Sequence, residues 1–167
     1  MGSGTEPTVR DVMRHEVPTA SPSTPIAELA RLMVEHHVPG LPVIARGELV
    51  GIVTEADLIQ REATVDMPSI VTFLDVVIVA DAGTPFEEEL RRVVATTAEE
   101  LMTSPVISIR DSATVAELAT LMLQQRVNPV PVVDDGRQIV GLATRSGLIE
   151  LIARLESVTS RGDSGGG

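Results

Sequence analysis

The sequence predicts an α+β fold of two pseudo-symmetric β-α-β-β-α repeats packed together, with a helical insert between them. Three observations lead there. Residues 8–59 and 97–149 are one stretch written twice, aligned at an offset of 89 that becomes 90 after an extra residue near Gln138. Within each copy, apolar residues alternate between helical spacing and short continuous runs. Turn signals separate those runs at matching places in both copies. Ala27-Glu28-Leu29-Ala30 falls on Ala116-Glu117-Leu118-Ala119, Pro42-Val43 on Pro131-Val132, Val50-Gly51 on Val140-Gly141, and Thr54 on Thr144. A supersecondary unit repeated whole closes on its neighbour, because one copy cannot bury its apolar face alone.

The elements follow in order. Thr8 with Asp11, and Thr97 with Glu100, have the spacing of a capping box and open a short leading helix in each copy. Apolar pieces around Val17 and Val106-Ile107 predict brief strands. Thr24-Pro25 reads as an N-cap with proline at the first helical position. Ile26, Leu29, Ala30, Met33 and Val34 then recur at helical spacing, as do Val115, Leu118, Ala119, Met122 and Leu123. Strands are predicted at Leu41–Ala45 and Leu49–Val53, joined through Arg46-Gly47, and at Val130–Asp134 and Ile139–Ala143, joined through Asp135-Gly136. A final helix starts just after Thr54 and Thr144. The chain thus divides into a polar, disordered tail (1–7), a first repeat (8–60), a mainly helical insert (61–96), a second repeat (97–156) and a second disordered tail (157–167). In the insert, Thr84-Pro85 followed by Glu87, Glu88 and Glu89 reads as a helix start.

Composition removes several function classes. The chain has 167 residues, 43% of them hydrophobic, enough for a core built from Val, Leu, Ile, Ala and Met, since Phe73 and Phe86 are the only aromatics. The net charge of −11, spread over both repeats and the insert, leaves no basic face for nucleic acid. Lysine is absent, so any phosphate must be held by arginine, histidine, hydroxyls or backbone N–H groups. With no cysteine there is neither a disulfide nor thiol catalysis. No run approaches the roughly 20 apolar residues of a spanning helix, and no leader resembles a signal peptide, so the expected location is the cytoplasm, away from membranes. The three histidines lie without clustered acids and make no metal site; at helix ends they suit capping. There is no nucleophile–base pair and no P-loop, so an enzyme is not expected.

Leu41 to Asp57 carries L-P-V-I, a short turn, then V-G-I-V-T-E-A-D, and Val130 to Gly147 repeats the pattern. In order, spacing and duplication these strings resemble the CBS domain, named after cystathionine β-synthase, and two tandem copies resemble a CBS pair, or Bateman module. The resemblance covers about two-thirds of the chain. It implies a pseudo-twofold sandwich whose clefts bind adenosine-containing ligands such as AMP, ADP, ATP or S-adenosylmethionine, and which commonly forms dimers.

The chemistry centres on Thr54-Glu-Ala-Asp57. A strand runs straight into a helix there, so free N–H groups and the positive end of the helix dipole face outward. Thr54 can meet a phosphate, and the two oxygens of Asp57 match the paired hydroxyls of a ribose, the roles this motif has in the resembling family. The same T-x-x-D spacing is also a plain capping box. In the second repeat Thr144-Arg-Ser-Gly147 keeps the threonine but replaces the aspartate with glycine, while Arg145, where the first repeat has Glu55, can instead hold an anion at the same helix start, so Thr144 and Arg145 are also candidate nucleotide-binding residues. The expectation is one competent cleft, at Asp57, and a second that is empty, weaker or differently used. Glu55 beside the helix start disfavours polyphosphate. By resemblance, Thr19 in the first short strand and Gly40, Leu41 and Pro42 line the adenine pocket. Gly40 would also let a ligand approach the backbone closely, although a tight-turn role fits it equally. Arg126, like His36 and His37, follows a long helix and can reach a phosphate.

The function expected is a stand-alone regulatory module. It needs no cofactor, binds an adenine nucleotide or S-adenosylmethionine as regulatory ligand, and signals through a homodimer or an effector protein. The alternative is a ligand-independent module for dimerisation or protein interaction.

Overall fold

Each short leading helix packs on the sheet of the other repeat. The computed structural model describes residues 6–64 and 96–162, and the chain forms two compact units. One unit, Pro18–Val106, holds the body of the first repeat with the leader of the second; the other joins Met1–Val17 to Ile107–Gly167. We call them the first-repeat and second-repeat units.

In the first-repeat unit the elements are α2 (Ile26–His36), β1 (Gly40–Ala45), β2 (Glu48–Thr54), α3 (Glu55–Thr64) and α4 (Ala98–Leu101). In the second-repeat unit they are α1 (Val9–Val12), β3 (Ile109–Arg110), α5 (Val115–Gln125), β4 (Val130–Val133), β5 (Ile139–Ala143) and α6 (Arg145–Gly162). β1 and β2 form an antiparallel hairpin in which Gly40 faces Thr54 and Ala45 faces Glu48. β4 and β5 repeat it, with Val130 facing Ala143. Both hairpins carry a register shift at the same aligned place, Val43/Ile44 and Val132/Val133. A strand lies parallel to each hairpin on its β1 or β4 side. It is β3 in one unit and a single bridge, Ala20 to Val43, in the other. These pieces fall two to three residues later than the strands expected around Val17 and Val106-Ile107. The apolar Val17 and Val106 mark the approach to the sheet, and pairing starts only where the backbone reaches β1 and β4.

The opposite edge of each sheet is where the exchanged leader docks. Arg14 bridges Leu142, and Thr103 bridges Ile52. Just before these bridges, Met13 and Met102 cover Gly141 and Gly51. A Cβ at Gly141 would meet the Met13 side chain, with Cγ at 2.9 Å, and one at Gly51 would meet Met102, with Cγ at 2.8 Å. Glycine stands at both positions because a thioether occupies the space of a side chain. Val9, Val12 and Met13 of the leader join Leu118, Met122, Val130, Val132 and Ala143 in one buried cluster. In the first-repeat unit the buried positions Leu29, Met33, Leu41, Val43 and Val53 come from α2, β1 and β2, and α4 adds Ala98.

Reciprocal caps fix the helix starts. The Thr8 N–H donates to Asp11 Oδ2 at 2.7 Å, the Thr97 N–H to Glu100 Oε2 at 3.0 Å, and the Thr114 N–H to Glu117 Oε2 at 2.8 Å. α2 starts one residue later than the Thr24-Pro25 pair suggests. Pro25 is its N-cap, and the Thr24 hydroxyl instead accepts from the Ser21 N–H at 2.9 Å. The tails are shorter than expected. α6 runs to Gly162, beyond the 156 boundary, and Pro7 accepts a hydrogen bond from the Val115 N–H at 3.0 Å. Most of the expected helical insert lies outside the described residues; 61–64 belong to α3.

The leader contact in the second-repeat unit has an ionic part without a counterpart among the described residues of the other unit. Arg10 Nε donates to Asp111 Oδ2 at 3.1 Å, and its guanidinium also pairs with that carboxylate, which is only 11% exposed. The aligned positions in the other unit are Glu99 and Pro22. The hydrogen bond from Arg10 holds the Asp111 carboxyl below the usual aspartate range. A lowered folded-state pKa stabilises fully above the ordinary aspartate value near ~4, and that stability is lost as the pH falls through the lowered value. The melting temperature of Asp111→Asn is therefore expected to fall below that of wild type at pH 7, with the two converging as the pH is taken down below the ordinary aspartate value. Parallel acid-range melts by circular dichroism check this.

Candidate functional site

The strand-to-helix corner of the first-repeat unit gathers most of the residues expected to bind a ligand. Gly40 and Thr54 are Cα partners at the open end of the β1–β2 hairpin. The Ala20 N–H donates to the Pro42 carbonyl at 2.9 Å, which sets Thr19 beside the start of β1. Gly40, Leu41 and Pro42 are buried, Thr54 and Asp57 half-buried, and Thr19 exposed. Thr19, Gly40, Leu41, Pro42, Thr54 and Asp57 thus share one end of one small sheet. They converge because β2 runs without a loop into α3, so the first turn of α3 sits over the end of the hairpin.

Asp57 is built into the helix start. Its Oδ2 accepts the Thr54 N–H at 2.8 Å and the Thr54 hydroxyl at 3.1 Å, while Oδ1 accepts neither. The first of these is the bond that Asp11, Glu100 and Glu117 make at their own helix starts, so the capping role is realised here. Thr54 is correspondingly less available than the sequence suggests, since its hydroxyl proton already lies on Asp57. A further donor is also engaged: the Glu55 N–H bonds the Pro39 carbonyl at 2.9 Å. The Glu55 side chain is exposed.

The matching corner of the second-repeat unit is built differently. Thr144 is buried, and its Oγ1 accepts the Gly147 N–H at 3.1 Å, which keeps the threonine half of the cap. Arg145 and Arg126 are both exposed. Arg126 is the left-handed C-cap of α5, with φ 53°, as His37 is for α2, with φ 51°. The Arg145 N–H donates to Asn128 Oδ1 at 3.1 Å. Asn128 therefore takes the place that the Pro39 carbonyl has in the first repeat, a role whose only sequence signal is its alignment with Pro39. Gly147 also has a packing reason. A Cβ there would lie 2.7 Å from the Val12 carbonyl oxygen of α1. The sequence shows that an aspartate is missing, but only the exchanged leader shows that no side chain fits.

Among the described residues, no group of three or more His, Asp or Glu side chains is arranged to hold a metal ion. No helix among them is long and apolar enough to cross a membrane.

Comparison with known proteins fits this architecture. The chain is 27% identical over 152 residues to an uncharacterized protein of Methanocaldococcus jannaschii, covering 86% of this chain and 90% of that one. It is 30% identical over 161 residues to the chloroplastic CBS domain-containing protein CBSX2 of Arabidopsis thaliana, covering 91% of this chain and 66% of that one. It also matches a homoserine O-acetyltransferase of Methanosphaerula palustris at 32% identity over 147 residues, spanning 87% of this chain but only 24% of the enzyme. Among solved structures, CBSX2 in complex with AMP superposes with a TM-score of 0.66 at 27% identity, covering 90% of this chain and 99% of that one. The CBS domain pair of protein MJ0100, in complex with 5′-methylthioadenosine and S-adenosyl-L-methionine, also gives 0.66 at 27% identity, covering 87% and 98%. The CBS domain model itself matches residues 9–63 and 98–154, so the chain belongs to the CBS domain family and carries two copies of the domain.

Proposed function

We propose that the protein is a regulatory module that binds one adenosine-containing ligand per chain, at the Thr54/Asp57 corner of the first-repeat unit. The observation that carries this reading is the convergence of Thr19, Gly40–Pro42, Thr54 and Asp57 at one end of the β1–β2 hairpin, with one Asp57 oxygen outside the cap. Buried Gly40, Leu41 and Pro42 offer an apolar, backbone-lined wall for the adenine ring. Asp57 Oδ1 offers an acceptor for a ribose hydroxyl, a charge-assisted bond stronger than a neutral one. Similarity to solved CBS pairs holding AMP, 5′-methylthioadenosine and S-adenosyl-L-methionine supports the ligand class. The Thr144/Arg145/Gly147 corner, with Arg126 nearby, lacks the carboxylate and is not a second ribose site. A ligand that binds one conformation better shifts the population towards it by no more than its difference in affinity. The output then passes through a homodimer or an effector protein.

A second reading, a dimerisation or protein-interaction module without ligand, is favoured by one feature of α6. Ile149, Ile152 and Val158 recur at multiples of three and are 64%, 54% and 72% exposed.

One titration separates the readings. Melting is followed with AMP, ATP, 5′-methylthioadenosine and S-adenosylmethionine, for wild type and Asp57→Ala. A ligand at a hundred times its Kd stabilises wild type by about 2.7 kcal/mol. Asp57→Ala is expected to lose that gain, besides the ~1 kcal/mol that a broken cap costs without ligand. If no adenosyl compound raises the melting temperature, and sedimentation shows a dimer, the second reading replaces the first.

A further inference from the structure

We infer that the Thr54/Asp57 corner selects adenosyl compounds that carry no phosphate, such as a nucleoside thioether or sulfonium. The inference rests on the reading above and sharpens it to a charge class. A phosphate at a helix start needs free N–H or hydroxyl donors and, commonly, a cation. At this corner three of the donors are already engaged. The Thr54 N–H and hydroxyl both go to Asp57, at 2.8 and 3.1 Å, and the Glu55 N–H goes to the Pro39 carbonyl at 2.9 Å. The first turn of α3 also carries two carboxylates, Glu55 and Asp57, with Glu55 exposed.

Positive charge is sparse among the described residues of the first-repeat unit. The chain has no lysine, and the described part of the first-repeat unit holds three arginines against eight carboxylates. Arg31 is paired along α2 with Glu35 at 2.7 Å and Glu28 at 3.6 Å. Arg46 sits in the hairpin turn, at the opposite end of β1 from Gly40. Arg61 donates to Thr96 Oγ1 at 3.1 Å. In the described part of the second-repeat unit, eight arginines face nine carboxylates. The exchange of leaders accentuates this contrast, because Arg10 and Arg14 leave the first repeat for the second-repeat unit and Glu99 and Glu100 arrive in their place. By Coulomb's law a carboxylate about 6 Å from a phosphate charge costs roughly three-fold in affinity at the dielectric of water and roughly a hundred-fold at the effective ~20 of a protein surface, and an exposed carboxylate such as Glu55 lies towards the first. A neutral thioether escapes that cost, and a sulfonium gains by a similar factor.

The test is calorimetric titration of the full chain with 5′-methylthioadenosine, adenosine, AMP and ATP, on wild type and Glu55→Gln. The expected result is that 5′-methylthioadenosine binds wild type at least ten-fold more tightly than AMP or ATP. Glu55→Gln raises the ratio of AMP affinity to 5′-methylthioadenosine affinity about five-fold. AMP or ATP binding as tightly as the thioether overturns the charge selection and leaves the adenosyl reading standing. An unchanged ratio in Glu55→Gln removes Glu55 as its cause. If none of the four binds, both the selection and the adenosyl reading fall. Glu55 is exposed, and matched far-UV spectra establish that the variant is folded.

Discussion

Gly147→Asp, the substitution that makes the second T-x-x-G motif match the first, is expected to cost about 1–3 kcal/mol and to add no binding site. The cost is that of forcing extra atoms into a filled space. The Cβ of the new side chain would start 2.7 Å from the Val12 carbonyl oxygen, a backbone atom of α1 that cannot turn aside as a side chain end can. Relief requires α1 to move, and α1 is held by the Val9 N–H to the Ala113 carbonyl at 2.9 Å and by reciprocal bonds between Arg14 and Leu142 at 2.9 and 3.0 Å. Gly147→Ala should therefore lose a comparable amount, which separates crowding from charge. Chemical denaturation gives the loss, and calorimetry gives the stoichiometry, expected to stay at one. A Gly147→Asp protein of wild-type stability that binds two ligands would show that α1 yields freely.

Val9→Ala combined with Met13→Ala is expected to lower stability by about 4 kcal/mol or more, counting ~2–5 for a buried methionine and ~0.8 for each further methylene removed. Val9 is 0% and Met13 8% exposed, and both belong to the cluster built on Leu118, Met122, Val130, Val132 and Ala143. The location of the damage is as informative as its size. These residues belong to the first repeat by sequence, yet amide hydrogen exchange should show protection lost first across 107–162, with 18–64 affected later. Loss confined to 18–64 would mean that the leader packs on its own repeat.

These two expectations mark where the sequence stops being legible. The hairpins and long helices could be read because their causes are local: a turn residue, a cap, apolar spacing. Asp135-Gly136 and the Thr97–Glu100 cap report on neighbours within a few residues. The placement of Thr54 and Asp57 at a strand-to-helix junction was legible for the same reason. The exchange of leaders was not, because Met13 looks like an ordinary amphipathic position whichever sheet it covers. The Arg10–Asp111 pair joins residues 101 apart, and no spacing rule connects them. Gly147 lies between the two cases. Its identity was visible, and its reason, the Val12 carbonyl, was not. The capping box at Thr54 was recognised as one of two meanings, but choosing between binding and capping needed the hydrogen bonds. They show that Asp57 already caps, leaving Oδ1 as the oxygen for any second task.

The reciprocal leaders bear on ancestry and on engineering alike. Gly51 with Met102 and Gly141 with Met13 are the same lock made twice, each key lying on the far half of the polypeptide from its keyhole. A gene for one repeat whose product traded leaders with a second copy would have been a domain-swapped pair, and fusing two such genes would turn the trade between molecules into one within a single chain. After fusion the halves can diverge in surface chemistry, as Asp57 and Gly147 have, while the locks keep them matched. A cut anywhere between residues 64 and 96 would therefore yield fragments that each lack a part the other carries, which makes this chain suited to reassembly from two pieces.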